Sequence, residues 1–141
     1  SLSDPSKKMS KSDKGDKGCI YLLEDLKSAR KKIMSAVTDN EACVRFDPEN
    51  QPGIANLLTI MSSLSGEAIE RFAGKGYGEF KSAVADVVCA ELERIQARYN
   101  EIINSTLIEE TLAEGAVKAQ RLASRKLEKV QRKIGLEFRK R

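Results

Sequence analysis

Residues 80–102, FKSAVADVVCAELERIQARYNEI, carry the strongest periodic pattern in the chain. Apolar side chains recur there every three or four residues, which is the spacing of one face of an α-helix. The stretch therefore predicts a long amphipathic helix with one buried face. The residues of that face are Phe80, Val84, Val87, Val88, Leu92, Ile95, Tyr99 and Ile102.

Two shorter helical patterns come before this stretch. Asp25 can cap a helix that runs to about Val37, with apolar side chains three to four residues apart. Pro52 is well placed in the first turn of a second helix, which is predicted to end near Gly66. The chain between them is polar, with one brief extended piece at residues 44–46.

Two further helices complete the predicted fold. A short one covers residues 67–72 and is broken by the glycine-rich residues 74–78. A capping box of Thr106 and Glu109 precedes the last helix, whose basic residues lie largely off its apolar stripe. The sequence therefore predicts an all-α fold, a helical bundle of about five helices with almost no sheet. The last stripe consists of Leu112, Ala116, Ala119, Ala123, Leu127, Val130 and Ile134.

The composition excludes several kinds of site. The chain has no histidine, so neither a Ser-His-Asp triad nor an imidazole general base can form from its residues. Cys19, Cys43 and Cys89 are far apart and form no CxxC pair, which argues against a disulfide framework and a zinc site. No apolar run approaches the ~20 residues of a membrane span, and no signal-peptide pattern is visible. We therefore predict no metal site, no membrane association and a cytoplasmic location.

Charge is segregated along the chain. Residues 1–35 have a net charge of +4, residues 36–115 have −8, and residues 116–141 have +8. Basic ends around an acidic middle indicate a phosphate-rich partner that meets particular surfaces. The alternative interpretation, a basic helix face that is merely solvated, stays open at this point.

Residues 1–18, SLSDPSKKMSKSDKGDKG, have no apolar periodicity and predict a loop. Within it, residues 8–12 spell KMSKS. Two ammonium groups three residues apart, together with hydroxyls and backbone amides, can contact the oxygens of a triphosphate. Such cations lower the barrier to adenylate formation, because negative charge builds on the departing pyrophosphate. This chemistry needs no proton transfer by the protein, which suits a chain without histidine.

The KMSKS string resembles the second signature of class I aminoacyl-tRNA synthetases. The blocks that follow are more specific, and they resemble the bacterial tryptophanyl enzymes in order and spacing over essentially the whole chain. The tyrosyl enzymes share the fold and the loop, but the NLL…LSG and GKGYG blocks look tryptophanyl. The matching blocks are TDNEACVRFD (38–47), PGIANLLTIMSSLSG (52–66), GKGYGEFK (74–81) and EGAVKAQRLASRKL (114–127).

The resemblance implies a division of the chain near residue 25. Residues 1–24 would be the KMSKS loop and the tail of a Rossmann-type catalytic domain. Residues 25–141 would be a helical anticodon-binding domain ending in a basic helix. The family often has Pro and Asn soon after the motif, where this chain has KGDKG at residues 14–18, and these glycines should make the loop more mobile. By this resemblance Lys8 and Lys11 would be catalytic, and the ATP-binding residues would be Lys8, Met9, Ser10, Lys11 and Ser12.

The resemblance also implies partners and a missing half. The intact enzymes activate tryptophan with ATP and Mg²⁺, charge tRNA(Trp) and work as homodimers. Their first signature contains histidine and lies, with the tryptophan pocket, on the other part of the catalytic domain. The chain begins at Ser1 without a methionine, and we expect it to be the C-terminal part of a longer enzyme, unable to activate tryptophan alone. The alternatives are a tyrosyl-type synthetase, a stand-alone helical RNA-binding module and a structural adaptor, which has no use for KMSKS.

Four residues are weaker candidates for tRNA contact. Lys75 and Tyr77, in the glycine-rich turn, could offer a cation and a stacking ring to RNA. Arg94 and Arg98, on the long helix, could reach phosphates or anticodon bases. The simpler interpretation is a turn that joins two helices and a pair of solvated arginines.

Overall fold

The computed structural model describes residues 1–10 and 16–136 and contains no strand within them. The predicted all-α fold is confirmed. Short 3₁₀ turns at Asp16–Gly18 and Ile69–Phe72 accompany the main helices, and the second of these stands where a short helix over residues 67–72 was predicted. The four α-helices are α1 (Leu26–Met34), α2 (Pro52–Ser65), α3 (Tyr77–Ile103) and α4 (Leu107–Lys133).

The chain forms two compact units, Ser1–Ala97 and Arg98–Arg141. The first contains α1, α2 and most of α3, and the second contains α4. None of the helices in the described part of the chain combines the length and the apolar character needed to cross a bilayer.

The core of the first unit is built where the helical stripes of α1, α2 and α3 meet. Phe80 is completely buried, and its ring centroid lies 5.6 Å from that of Phe72. Along α3 the predicted stripe is buried as far as Leu92 except at Val87, which is half-buried, whereas Tyr99 is 44% exposed. Burial of these side chains supplies most of the stabilisation of the unit, at about 1.5–3 kcal/mol for each large apolar residue. The other fully buried apolar side chains include Ile33, Ile54, Leu57, Leu58 and Val84.

The end of α1 differs from the sequence prediction. The helix ends at Met34, three residues before Val37. The ammonium group of Lys81 on α3 donates hydrogen bonds to the carbonyls of Met34 (3.3 Å) and Ala36 (2.7 Å), so these groups are satisfied without another helical turn. Burial lowers the pKa of Lys81, because it disfavours the charged form.

The glycine-rich turn and the predicted capping box also differ in detail. Gly74 has φ +81°, in the left-handed region that favours glycine, but α3 already begins at Tyr77, so the turn is shorter than predicted. Thr106 makes no side-chain cap; its hydroxyl donates to Glu110 (2.6 Å), the carboxylate one residue beyond the predicted partner. The extended piece at Val44 is not a strand, although its backbone pairs with the turn at Gly74 and Lys75.

Gly53, in the first turn of α2, stands where the helix approaches the backbone at Val37. A Cβ atom at Gly53 would lie 2.1 Å from the carbonyl oxygen of Val37. We expect Gly53→Ala to lower the free energy of unfolding by about 1–3 kcal/mol, because the helix must move away from this carbonyl. Urea titration followed by circular dichroism measures the change. Gly78→Ala is the matched control, since a Cβ at Gly78 meets no atom within 4 Å; an equal loss in both variants would contradict the steric explanation.

Candidate functional site

Two backbone hydrogen bonds hold the ends of the loop that carries KMSKS. The N–H of Leu2 donates to the carbonyl of Gly18 (3.0 Å), and the carbonyl of Leu2 accepts from the N–H of Val37 (2.9 Å). The Leu2 side chain is 2% exposed and belongs to the core of the first unit. Both ends of the segment formed by residues 3–17 are therefore fixed next to the residues that follow α1.

A β-turn leads into the motif. Pro5 occupies its second position, and the N–H of Lys7 donates to the carbonyl of Asp4 (3.0 Å). The Asp4 carboxylate pairs with the ammonium group of Lys7 (2.8 Å) and accepts from the hydroxyl of Ser6 (2.6 Å). These bonds, that from Lys7 first, lower the pKa of Asp4 to about 2, so the turn keeps its charged acceptor at neutral pH.

The described part of the motif, residues 8–10, has one exposed and two half-buried side chains. Met9 is half-buried and packs against the core cluster, Ser10 is also half-buried, and Lys8 is exposed. Among residues 1–10 and 16–136, no carboxylate forms an ion pair with Lys8. Lys11 and Ser12 lie outside the described residues. Within the described residues, Lys8 is therefore an unpaired surface cation, and the residue that follows it, Met9, packs against the core.

The segment that follows the loop is tied down by a buried ion pair, which the sequence analysis did not identify. The ammonium group of Lys32 on α1 lies 2.6 Å from the Glu24 carboxylate, and it donates to the carbonyl of Cys19 (3.0 Å). Only 7% of the Lys32 side chain and 11% of the Glu24 side chain are exposed. The amide of Gln96 on α3 adds hydrogen bonds to the carbonyls of Leu22 (3.0 Å) and Glu24 (2.9 Å). Residues 19–24 are thus fastened to two helices.

A polar network joins the start of α3 to the segment after α1. The hydroxyl of Tyr77 donates to Asp39, and the side-chain amide of the fully buried Gln51 lies 3.0 Å from the same hydroxyl and 3.1 Å from the Glu41 carboxylate. Burial by itself would raise the pKa of Asp39, but hydrogen bonds from Tyr77, from backbone N–H groups and from Gln51 hold it below its ordinary value. Burial and the neighbouring Asp39 carboxylate raise the pKa of Tyr77. The Tyr77 side chain is half-buried, and its hydroxyl is hydrogen-bonded to Asp39 and Gln51.

We expect Tyr77→Phe to lower the free energy of unfolding at pH 7 by roughly 1–2 kcal/mol, because Asp39 loses a donor to its charged form. The pKa of Asp39 is depressed in the folded state, so this contribution is present above the unfolded pKa near 3.8 and is lost as pH falls through the folded value. The difference between the two proteins in urea titrations should accordingly shrink below about pH 3.8. Tyr99→Phe is the control, as that ring is 44% exposed. A Tyr77→Phe effect independent of pH would contradict the assignment to Asp39.

The remaining candidates for tRNA contact are paired with nearby carboxylates; Arg94 and Arg98 are exposed, and Lys75 is half-buried. Lys75 lies 2.8 Å from Glu79, and the guanidinium group of Arg98 lies 2.7 Å from Glu101. Arg94 makes two hydrogen bonds to one carboxylate, of 2.9 and 2.6 Å, both to Glu91. Lys75 and Tyr77 are both tied to residues 39–44, whereas Lys8 and Met9 belong to the separate loop of residues 3–17.

The described residues hold no group of three His, Cys, Asp or Glu side chains placed to bind a metal ion. Cys19, Cys43 and Cys89 are free thiols, and burial raises the pKa of Cys89. The site therefore consists of a loop with a surface cation and of the buried anchors behind it.

Comparison with known proteins gives consistent results. The family described as tRNA synthetases class I (W and Y) matches residues 1–93. The tryptophan–tRNA ligase of Bacillus anthracis is 50% identical over 145 residues, covering 100% of this chain and 44% of the ligase. That of Bacillus subtilis (strain 168) is 51% identical over 140 residues, covering 96% of this chain and 42% of the ligase. The crystal structure of tryptophanyl-tRNA synthetase from Mycoplasma pneumoniae is similar with a TM-score of 0.73 and 33% identity, over 96% of this chain and 43% of that one. The chain spans less than half the length of these relatives.

Proposed function

Because this chain belongs to the class I tRNA synthetases of the tryptophan and tyrosine type, we propose that it forms the C-terminal part of a tryptophan–tRNA ligase. The observation that carries the proposal is identity of about 50% over the whole chain to ligases of that name. It favours tryptophan over tyrosine as the amino acid, although both types belong to the same family.

In this function Lys8 acts on the phosphates of ATP, together with Lys11. As tryptophan attacks the α-phosphate, charge builds on the departing pyrophosphate, and a cation that approaches it in the transition state lowers the barrier. The exposure of Lys8, and the lack of an ion pair to it within the described residues, support this role. Met9 contributes by packing against the core, which holds the backbone next to Lys8 in place. Ser10 and Ser12 supply hydroxyl groups to the same phosphates.

The proposal includes the partners of the complete enzyme, which are tryptophan, ATP, tRNA(Trp) and a second copy of the subunit. Mg²⁺ commonly reaches such sites held mainly by the substrate phosphates. Residues 1–10 and 16–136 offer no cluster of metal ligands. The proposal therefore names no Mg²⁺ ligand among them and no reaction step that passes through the ion. The free thiols are consistent with a reducing compartment such as the cytoplasm.

Tryptophan-dependent ATP–pyrophosphate exchange tests the proposal. We expect the complete protein to catalyse exchange with tryptophan and not with tyrosine, and the 141-residue chain alone to catalyse none. Exchange with tyrosine would reassign the amino acid. Absence of exchange with either amino acid would overturn the proposed function.

A further inference from the structure

The basic residues of α4 lie along one face of the helix. Five of them are spaced by three, four, four and three residues, which places them in one row on a helix of 3.6 residues per turn. The row is about 21 Å long at 1.5 Å per residue, a length that covers several successive phosphates of one nucleic-acid strand. All five side chains are exposed. We call this row the α4 basic face, and its residues are Lys118, Arg121, Arg125, Lys129 and Arg132.

Most cations of this face have no carboxylate partner within residues 1–10 and 16–136. In the described part of the structure Lys118 alone among the five has an acidic partner, Glu114 at 3.5 Å. By contrast, Arg94 and Arg98 are each held by a carboxylate three residues away. A cation already paired with a carboxylate must give up that pair before it can meet a phosphate. The α4 basic face needs no such exchange along most of its length.

We propose that the α4 basic face binds the phosphate backbone of RNA. This inference rests on the proposed function, in which the RNA is a tRNA, and it assigns the contact to residues outside the four candidates that the sequence suggested. A row of exposed lysines and arginines binds a polyanion by releasing its condensed counterions. The contact positions the RNA without reading its bases.

The opposite face of α4 argues for RNA rather than for a lipid surface. Basic amphipathic helices that bind membranes carry bulky apolar side chains, often Trp or Phe, on the face that enters the lipid. The apolar stripe of α4 lies nearly opposite the basic face and has alanine at positions 116, 119 and 123. It contains no aromatic residue, and its bulky apolar side chains are confined to its two ends, with Leu112 at one end and Leu127, Val130 and Ile134 at the other.

The triple substitution Arg121→Gln, Arg125→Gln, Lys129→Gln tests the proposal in the full chain. Binding to an unmodified tRNA(Trp) transcript is measured by fluorescence anisotropy at several KCl concentrations. We expect binding at 0.1 M salt to weaken about 30-fold, and the slope of log K against log salt to become shallower by roughly 2–3. Circular dichroism should be unchanged, because the three side chains are exposed.

The matched control is Arg30→Gln, Arg45→Gln, Arg71→Gln, which removes the same charge from residues that are paired with Asp86, Glu41 and Glu67 and are not candidates for RNA contact. We expect it to weaken binding less than threefold and to leave the salt slope unchanged. Equal losses in both triple variants would reduce the effect to net charge and overturn the proposal. An unchanged salt slope in the α4 variant would also overturn it.

Two further measurements separate the remaining outcomes. If the α4 variant keeps RNA binding but loses binding to phosphatidylserine–phosphatidylcholine vesicles, the face is a lipid contact and the proposal fails. Tryptophan-dependent exchange by the complete protein needs no tRNA, so it reports on the proposed function independently. If the complete protein catalyses exchange but the α4 substitutions leave the salt slope of RNA binding unchanged, only the α4 proposal fails. If the substitutions make that slope shallower but the complete protein catalyses no exchange, only the proposed ligase function fails.

Discussion

Replacing Lys8 by alanine in the complete protein is expected to lower kcat for tryptophan-dependent ATP–pyrophosphate exchange by about 10²–10³-fold, the usual effect of removing one group that stabilises developing charge. Lys8 is exposed and, in the described residues, unpaired, so no structural contact is lost with its side chain. Because its contact strengthens as pyrophosphate departs, KM for ATP should change far less than kcat. Initial rates over a range of ATP concentrations separate the two constants.

Lys17→Ala is the control for this experiment, since Lys17 is an exposed lysine of the same loop outside the motif. We expect its exchange rate to stay within about threefold of the unaltered protein, a change of less than 1 kcal/mol in the barrier. A comparable loss in both variants would mean that the loop acts through its general positive charge. A rise in KM without a fall in kcat would show that Lys8 binds ground state and transition state equally.

The helices could be predicted because their signal is local. The stripe that starts at Phe80 repeats with the helical period, and the structure buries it as far as Leu92 except at Val87. The ends of the helices were less predictable, because a non-local contact determines them. At the end of α1, the ammonium group of Lys81 on α3 donates a hydrogen bond to the carbonyl of Ala36, and the sequence of α1 contains no sign of this contact.

The buried polar residues of the site could not be predicted for the same reason. Gln51 and Lys32 are polar residues that a periodic analysis assigns to the surface, yet both are buried. Their partners, Asp39 and Glu24, come from segments without any periodic pattern. The tRNA candidates show the converse case. Arg94 was chosen as a basic residue on a helix, but the sequence alone does not show that its guanidinium group donates two hydrogen bonds to the Glu91 carboxylate.

The pair formed by Lys32 and Glu24 gives the second large expected effect. Lys32→Met should lower the free energy of unfolding of the first unit by about 3–5 kcal/mol, the usual cost of leaving one member of a buried pair uncompensated. Only 11% of the Glu24 side chain is exposed, so water does little to replace the lost ammonium group. The carbonyl of Cys19 loses its donor in the same substitution. Urea titration at pH 7, followed by circular dichroism, measures the loss.

Two variants separate the loss of the pair from other causes. The double variant Glu24→Leu, Lys32→Met should recover most of the stability, because a buried apolar pair needs no compensation for charge. Arg30→Met, on the same helix, removes an ion pair with Asp86 whose side chains are 43% and 62% exposed, and it should cost less than about 1 kcal/mol. If the double variant is no more stable than Lys32→Met, packing of the lysine stem rather than the charge of Glu24 accounts for the loss. If Arg30→Met costs as much as Lys32→Met, the burial of the Lys32–Glu24 pair does not explain its effect on stability. The pair would then not be the anchor of residues 19–24.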